Sequence, residues 1–270
     1  MAPEKALHIG RESAESTALW VPGIQDCPED REQLFDLLAQ RGLDVQHPDA
    51  SYEEFDTHED QPNWIAHKTK VEIQLIQDQE HTVLIATSFG AHRAIKIIDA
   101  CPQITAAVLL NPPKNEMAKP EKANNTDHAS PAEIMLRPLT CDMDDDTFDT
   151  FLARHEHAYK HERKRMKREL MDLREGPSFE ELLEDCSNKI ELLLVQAPVD
   201  PWHIQEDLFH PNLQRESMDN TYHYPHVSKP HELADLISTW IGSLQVLNRS
   251  ESDLLVQSSD SPRDHNQAIS

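Results

Sequence analysis

One serine stands where a predicted strand meets a predicted helix. The stretch from His81 to Ala94 reads HTVLIATSFGAHRA, and its apolar run TVLIA is typical of a strand that is covered on both faces. Apolar residues at helical spacing then begin at Ala91. Ser88 lies between the two elements, where its hydroxyl can either cap the helix or attack a substrate as a nucleophile. This stretch alone leaves both interpretations open.

Two later segments carry an acid and a base that could activate such a serine. Asp200 follows the buried-strand pattern IELLLVQ, where it can orient a histidine or simply begin a turn. The segment YHYPHVSKPHEL then holds His223, His226 and His231. His231 directly follows Pro230, where a final helix should begin, so its side chain is anchored to the wrong element. The residues alone leave His223 and His226 as candidates for the base.

These motifs and their order resemble the α/β-hydrolase family, in which a serine, an acid and a histidine follow one another along the chain. The sequence ATSFG around Ser88 matches that family's G-x-S-x-G turn, with Ala86 in place of the first glycine. APVD ends in Asp200 and matches its Gly-x-x-Asp, while YHYPHVSKPHEL matches its G-H-x-P-x-x-x-x-P-E-x-L stretch, with Tyr222 in place of glycine. The resemblance implies that Ser88 is the nucleophile, Asp200 the triad acid and His223 the base.

The resemblance also implies an oxyanion hole made of two backbone amides. Pro22-Gly23-Ile24 stands where the family often has His-Gly-x, and Phe89 follows the serine. The amides of Ile24 and Phe89 would then stabilise negative charge on the carbonyl oxygen of a substrate. Taken alone, the sequence VPG is equally consistent with an ordinary turn.

Strand and helix patterns alternate along the chain around these motifs. Buried-strand patterns at TALWV, TVLIA, AAVLL and IELLLVQ are separated by amphipathic helical patterns. This alternation indicates an α/β fold with a mostly parallel central sheet flanked by helices, and the resemblance adds a helical lid. We assign residues 1–113 and 189–245 to the core, 114–188 to the lid and 246–270 to a disordered C-terminal tail.

The predicted lid would cover the site and shape a pocket for the acyl group. Four residues are candidates for its inward, substrate-binding face: Phe148, Phe151, Leu152 and Tyr159. The same side chains could merely fix the lid helix to the core, and this interpretation is favoured for most of them.

Two charged patterns on the same predicted helix have a second interpretation each. His155, His157 and His161 lie close together, and the last two are four residues apart, as a metal pair can be. The dense charge around them favours a solvated helix, and we predict no metal site. The basic stretch KHERKRMKR could attract an anionic substrate or pair with neighbouring acidic residues.

Composition narrows the possible partners. The 270 residues carry 25 lysines and arginines against 49 acidic residues, a net charge of −24, which disfavours nucleic acid and anionic membranes. The four cysteines are scattered, and no signal peptide or membrane span is recognisable in the sequence. We therefore expect a cytoplasmic protein that acts on a small molecule. The sequence contains no sign of its oligomeric state.

The resemblance implies a serine hydrolase, and we expect an esterase for small or medium carboxylic esters that needs no cofactor. A thioesterase, a C–C bond hydrolase or a lyase would use the same residues. A different class of function is also open, because the substituted glycines and Tyr222 beside the histidine would suit a non-catalytic binding or adaptor protein. Hydrogen-bonding contact between Ser88, His223 and Asp200 discriminates between the two classes.

Overall fold

A six-stranded sheet forms the centre of the computed structural model. All of its strands are parallel, in the order β2-β1-β3-β4-β5-β6. The strands are β1 Ser16–Val21, β2 Leu43–Gln46, β3 Val83–Thr87, β4 Ala106–Leu110, β5 Glu191–Gln196 and β6 Leu213–Ser217. The structure describes residues 16–24, 26–47, 64–79, 82–114, 130–186, 188, 190–202, 204 and 208–259.

Eight α-helices in these ranges surround or extend the sheet. They are α1 Pro28–Gln40, α2 Trp64–Gln79, α3 Gly90–Ala100, α4 Pro131–Leu136, α5 Asp145–Glu175, α6 Phe179–Asp185, α7 Pro225–Ser228 and α8 Pro230–Ser259. A short 3-10 helix, Arg137–Leu139, follows α4. No helix among the described residues is long and apolar enough to span a membrane.

Both faces of the sheet are buried, which explains the continuous apolar runs in the sequence. Successive residues of a strand point to opposite faces, so Trp20 joins one apolar cluster with α1 and α8, while Leu19 and Val21 join the other with α3. Because helices cover both faces, each inner strand needs apolar residues at every position. The predicted α/β fold class is confirmed, and the sheet is entirely parallel.

Helix α6 packs as part of the core, although the sequence analysis assigned it to the lid. Phe179, Leu183 and Cys186 are buried in the same cluster as the inner face of α3. Because these three residues are buried in that cluster, the inserted helical segment has already rejoined the core by the start of α6. The segment between β4 and β5 therefore contains both a core helix and the helices α4 and α5.

Helix α8 extends further than the sequence analysis predicted. It continues to Ser259, so residues 246–259 are helical where we expected a disordered tail. No glycine or proline occurs between Gly242 and Pro262, so nothing in the covalent structure stops the helix from propagating. The rest of the predicted tail, 260–270, lies outside the described residues.

The strand order reverses between β1 and β3, and this reversal opens a crevice at the carboxyl ends of these two strands. The chain passes from β1 outward to β2 and then returns to the other side of β1 with β3. Loops that leave the carboxyl ends of β1 and β3 therefore diverge to opposite faces, and ligands of open parallel sheets bind at such a point. Gly23 follows β1 and Ser88 follows β3 at this position.

Candidate active site

Ser88 lies in a sharp turn between β3 and α3. Its φ angle is +51°, in the left-handed region that side-chain-bearing residues rarely adopt. The Ser88 amide donates to the Leu110 carbonyl at 2.7 Å, and the Ala91 amide donates to the Ser88 carbonyl at 3.0 Å. A strained backbone that is fixed from both sides holds the side chain at the end of the strand.

Gly90 allows this turn to lie against the neighbouring strand. A Cβ atom at Gly90 would be 2.2 Å from the Val21 carbonyl oxygen and 2.7 Å from that of Pro22. These contacts are with backbone atoms, which cannot move aside easily. The second small residue of the ATSFG motif is therefore required by the close approach of α3 to the end of β1.

The three residues that the sequence analysis singled out are in hydrogen-bonding contact. His223 Nε2 is 2.8 Å from Ser88 Oγ, and His223 Nδ1 is 2.6 Å from Asp200 Oδ2. All three are buried, and the His223 and Asp200 side chains are each 1% exposed. Since a carboxylate only accepts, Nδ1 of His223 carries a proton and Nε2 of the neutral ring faces the serine as an acceptor.

Backbone contacts fix the acid and the base in place. The Trp202 amide donates to Asp200 Oδ1 at 2.9 Å, which holds the carboxylate from its other oxygen. The His223 amide donates to the Leu139 carbonyl at 3.0 Å, so the 3-10 helix after α4 supports the histidine loop. The Trp202 and His223 rings meet edge to face, with centroids 4.9 Å apart. The imidazole therefore has little freedom to rotate.

Asn111 connects the acid loop to the histidine loop, and the sequence analysis missed it. Its side-chain amide donates to the carbonyls of Tyr222 and His223, both at 3.1 Å. Its side-chain oxygen accepts from the Ala197 amide at 2.8 Å. Asn111 has a φ angle of +44°, a conformation that asparagine tolerates better than most residues. The only sequence signal was its place between a buried strand and two prolines.

Asn111→Ala should lower kcat of an active preparation by about 10- to 100-fold, because the two loops lose the group that sets their separation. Asn111→Asp provides a partial control, since it retains the acceptor for Ala197 but loses both donated bonds. We expect activity in the order native, Asp variant, Ala variant, measured together with thermal unfolding. Equal kcat in folded native and Ala variants would show that Asn111 does not position the histidine.

The predicted oxyanion loop lies directly against the serine. A Cβ atom at Gly23 would be 3.1 Å from Ser88 Cβ, so only a glycine lets the loop come this near without displacement. Arg93 of α3 donates from Nη2 to the Pro22 carbonyl at 2.6 Å and forms a buried ion pair with Glu72. This arginine fixes the loop from behind. The roles of the Ile24 and Phe89 amides stay predictions.

Solved structures share this arrangement of strands and helices. MenH from S. aureus has a TM-score of 0.66 at 14% identity, over 87% of this chain and 97% of that one. A probable hydrolytic enzyme from Pseudomonas aeruginosa has 0.65 at 16% identity, over 86% and 87%. A serine hydrolase from Cycloclasticus zankles has 0.64 at 15% identity, over 89% and 98%. The chain has the α/β-hydrolase fold.

The sequence matches no protein-family model and no curated protein. At identities this low, the likeness to solved structures concerns the fold. Any activity of this α/β-hydrolase-fold protein has to be argued from its own site.

A cavity of about 240 Å³, its opening included, adjoins Ser88. Seven of the nine residues that line it have polar side chains. The residues are Gly23, Ile24, Asp26, Asp30, Thr87, Ser88, His155, Tyr224 and His226.

None of the four predicted substrate-binding residues of the lid is in this lining. Phe148 and Phe151 are 1% exposed and form an apolar cluster with Leu136, against which Leu152 packs. Tyr159 is half-buried on the same helix. Phe151 supports the cavity from behind, because its ring contacts those of His155 and Tyr224. Phe148, Phe151 and Leu152 therefore pack α5, which is the interpretation that the sequence analysis favoured for most of the four residues, and their role in substrate binding stays a prediction.

Buried ion pairs organise the wall of the cavity. Asp30 accepts from Arg154 Nη1 at 2.7 Å and lies 2.8 Å from His155 Nε2, which joins α1 to α5. Burial would raise the pKa of Asp26, but Arg31, at 2.9 Å, together with His226 and other groups holds that pKa below its ordinary value. The carboxylate of Asp26 is therefore charged at neutral pH.

Two other residues that line the cavity, His226 and Tyr224, are uncharged at neutral pH. Burial lowers the pKa of His226, although the nearby Asp26 and Asp30 carboxylates oppose this effect. Burial, reinforced by the same two carboxylates, raises the pKa of Tyr224. The ring of Tyr224 also meets that of His223 edge to face, with centroids 5.0 Å apart.

One group of potential metal ligands occurs among the described residues. Atoms of Cys27, Asp30 and His155 lie within 4.8 Å of one another. Both oxygens of Asp30 already face cationic or proton-bearing partners, so ion pairing accounts for this cluster without a metal. His157 is exposed, and the side chains of His161 and of most of the basic stretch Lys160–Arg168 lie outside the described residues.

A larger cleft lies away from Ser88, among α2, α3 and α5. Its lining includes Lys70, Lys96 and Asp172, and it contains none of the three residues in hydrogen-bonding contact. Size alone does not indicate chemistry, so we place the candidate active site at the smaller cavity, which contains a serine hydroxyl in hydrogen-bonding contact with a histidine.

Proposed function

We propose that the protein is a serine hydrolase that cleaves a small or medium carboxylic ester through an acyl-enzyme. The main support for this proposal is the continuous set of hydrogen-bonding contacts in the site. Ser88 Oγ is 2.8 Å from His223 Nε2, and His223 Nδ1 is 2.6 Å from Asp200 Oδ2. A serine that only capped α3 would need neither a histidine nor an acid. The N-cap of α3 is Phe89, whose side chain makes no capping hydrogen bond.

In the first half of the reaction, Ser88 Oγ bonds to the ester carbonyl carbon while its proton passes to His223 Nε2. The tetrahedral intermediate places negative charge on the carbonyl oxygen, which the amides of Ile24 and Phe89 would stabilise. The ester C–O bond then breaks, and the proton moves from His223 to the departing alcohol oxygen. Asp200 stabilises the imidazolium in between.

In the second half, water attacks the acyl carbon and gives a proton to His223. The acid product leaves as the proton returns to Ser88 Oγ, so the enzyme is regenerated. A thioester, or a C–C bond next to a carbonyl, would be cleaved by the same residues. The three residues are buried and joined by hydrogen bonds. This arrangement supports an enzyme over an adaptor, because a binding protein does not need a serine aligned with a histidine and a carboxylate.

A fluorophosphonate probe tests this proposal directly, because it bonds to a serine only when a neighbouring base activates it. The native protein should be labelled stoichiometrically, with the mass increase on the peptide that contains Ser88. Heat-unfolded protein serves as the control and should not react. Absence of labelling in the folded native protein would favour a non-catalytic role.

A further inference from the structure

A buried arginine joins α2 and α3 to the loop that follows β1. Arg93 Nε donates to Glu72 Oε2 at 3.1 Å, and Arg93 Nη2 donates to Glu72 Oε1 at 2.9 Å. The same Nη2 atom donates to the Pro22 carbonyl oxygen at 2.6 Å. The side chains of the arginine and the glutamate are only 3% and 1% exposed. Both hydrogens of Nη2 therefore have an acceptor, one on a carboxylate and one on the backbone of the loop.

The ion pair contributes geometry rather than charge to the site. Glu72 neutralises the Arg93 guanidinium through two hydrogen bonds to its two oxygens, a pairing that fixes the orientation of the guanidinium plane. Because the two opposite charges are in contact, their fields largely cancel away from the pair. What remains specific to Arg93 is the place of its further donated bond, to the Pro22 carbonyl.

That bond acts on the peptide group that leads into the predicted oxyanion loop. The Pro22 carbonyl and the Gly23 amide belong to one planar peptide group, so fixing the oxygen fixes the plane. Gly23 has no side chain to restrict its own torsion angles, so the direction of the Ile24 amide depends on contacts from outside the loop. Arg93 supplies such a contact.

The other predicted donor lies at the start of the helix that carries the arginine. Phe89 is the N-cap of α3, which begins at Gly90, and Arg93 lies one turn further along. The first turn of α3 also packs against the loop, since a Cβ atom at Gly90 would be 2.7 Å from the Pro22 carbonyl oxygen. The loop that contains Ile24 is therefore both packed against and hydrogen-bonded to the first turn of α3.

We infer that Arg93 is a positioning residue that sets the distance between the Ile24 and Phe89 amides, and that Glu72 holds its guanidinium in the required orientation. The inference rests on the proposed ester hydrolysis, because these amides would stabilise the oxyanion formed from the ester carbonyl. Such a donor is effective only within about 2.7–3.1 Å of the oxyanion, so a small shift of the loop weakens it. Arg93 acts through the loop rather than on the substrate itself.

Replacing the ion pair by apolar side chains tests this role without leaving a buried charge unpaired. Arg93→Met combined with Glu72→Met removes the bond to Pro22 but keeps two long side chains, a change that buried ion pairs often tolerate. We expect kcat for p-nitrophenyl acetate to fall about 10- to 100-fold with little change in KM, since the oxyanion is absent from the bound ester. Thermal unfolding shows whether the variant is folded.

The thiono analogue of the same ester, with C=S in place of C=O, identifies the amides as the cause. Sulfur is larger and a weaker hydrogen-bond acceptor than oxygen, so amides placed for an oxyanion stabilise it poorly. After each kcat/KM is divided by the rate constant of alkaline hydrolysis of the same ester, the native protein should prefer the oxygen ester by about 100-fold or more. This preference should fall by about 10-fold or more in the double variant.

Two further variants control this measurement. Lys68→Met combined with Glu169→Met removes another buried ion pair of α2, 3.8 Å long, which joins that helix to α5, and the native preference should persist. Arg93→Lys keeps a cation beside Glu72 but loses the planar fork that reaches both acceptors. Its preference should therefore lie between those of the native protein and the double methionine variant at positions 72 and 93.

The outcomes separate this inference from the function on which it rests. An unchanged preference in the folded double variant, or in Arg93→Lys if the double variant does not fold, would overturn the role of Arg93. An equal loss of kcat/KM on both esters would also overturn it, because a general disturbance of the site does not distinguish oxygen from sulfur. A native preference near one would overturn the assignment of the amides while leaving the hydrolase intact. No turnover of either ester, with no probe labelling of Ser88, would overturn the hydrolase proposal and this inference with it.

Discussion

Ser88→Ala should lower kcat for any ester that the native protein cleaves by roughly 10⁴- to 10⁶-fold, because it removes the atom that bonds to the acyl carbon. The residual rate would come from the amide loop and the cavity alone. Stability should change little, since alanine keeps the Cβ atom of serine and the φ angle of +51° is equally unfavourable for both. Initial rates with p-nitrophenyl acetate, together with thermal unfolding, measure the two quantities.

Ser217→Ala is a suitable control for this substitution. Ser217 is an exposed serine at the end of β6, and its hydroxyl contacts only a surface aspartate among the described residues. It should retain native kcat and KM. Substantial ester turnover by purified, folded Ser88→Ala would assign the nucleophile to another residue or the activity to a contaminant.

A strand could be predicted from sequence wherever it is covered on both faces of the sheet. Residues such as Leu84 and Ile85 are fully buried, so their apolar run is unambiguous. Strand β6 was missed because it is an edge strand with the sequence LQRES, in which three of the five residues are exposed. A strand covered on one side only, with two charged residues, has no apolar signal to distinguish it from a loop.

The three residues in hydrogen-bonding contact were predictable, whereas the groups that hold them in place were not. Ser88 and His223 stand in short motifs whose chemistry restricts the residue types within a few positions. Asn111 bridges carbonyls 111 and 112 residues away, and Asp30 meets a histidine 125 residues away. Such contacts depend on the packed fold, and one sequence contains no local pattern for them.

The lining of the cavity beside Ser88 illustrates the same limit of prediction from one sequence. The sequence analysis named aromatic residues of α5 as candidates for the acyl pocket, although it favoured packing against the core for most of them. In the structure the stripe packs against α4 and α7, and His155 of the same helix reaches the cavity instead. One turn of helix, from Phe151 to His155, separates packing from the site.

His223→Ala should lower kcat by about 10³-fold or more while changing KM little, because the base acts mainly in the transition state. His223 Nε2 is the ring nitrogen placed 2.8 Å from Ser88 Oγ, and the side chain is too enclosed for another histidine to replace it. Steady-state kinetics on native and variant proteins measure kcat and KM.

Substitution of the neighbouring His226 and His231 provides the controls for His223→Ala. His231 is exposed at the start of α8, so His231→Ala should have native kinetics. His226 is buried against the Trp20 ring and lines the cavity, so His226→Ala should mainly alter KM and stability, with at most ~10-fold loss in kcat. Near-native turnover in His223→Ala, with collapse in folded His226→Ala, would move the base by three residues. In the structure only His223 joins Ser88 to a carboxylate among the described residues, so its kcat loss should exceed that of His226→Ala by about 100-fold.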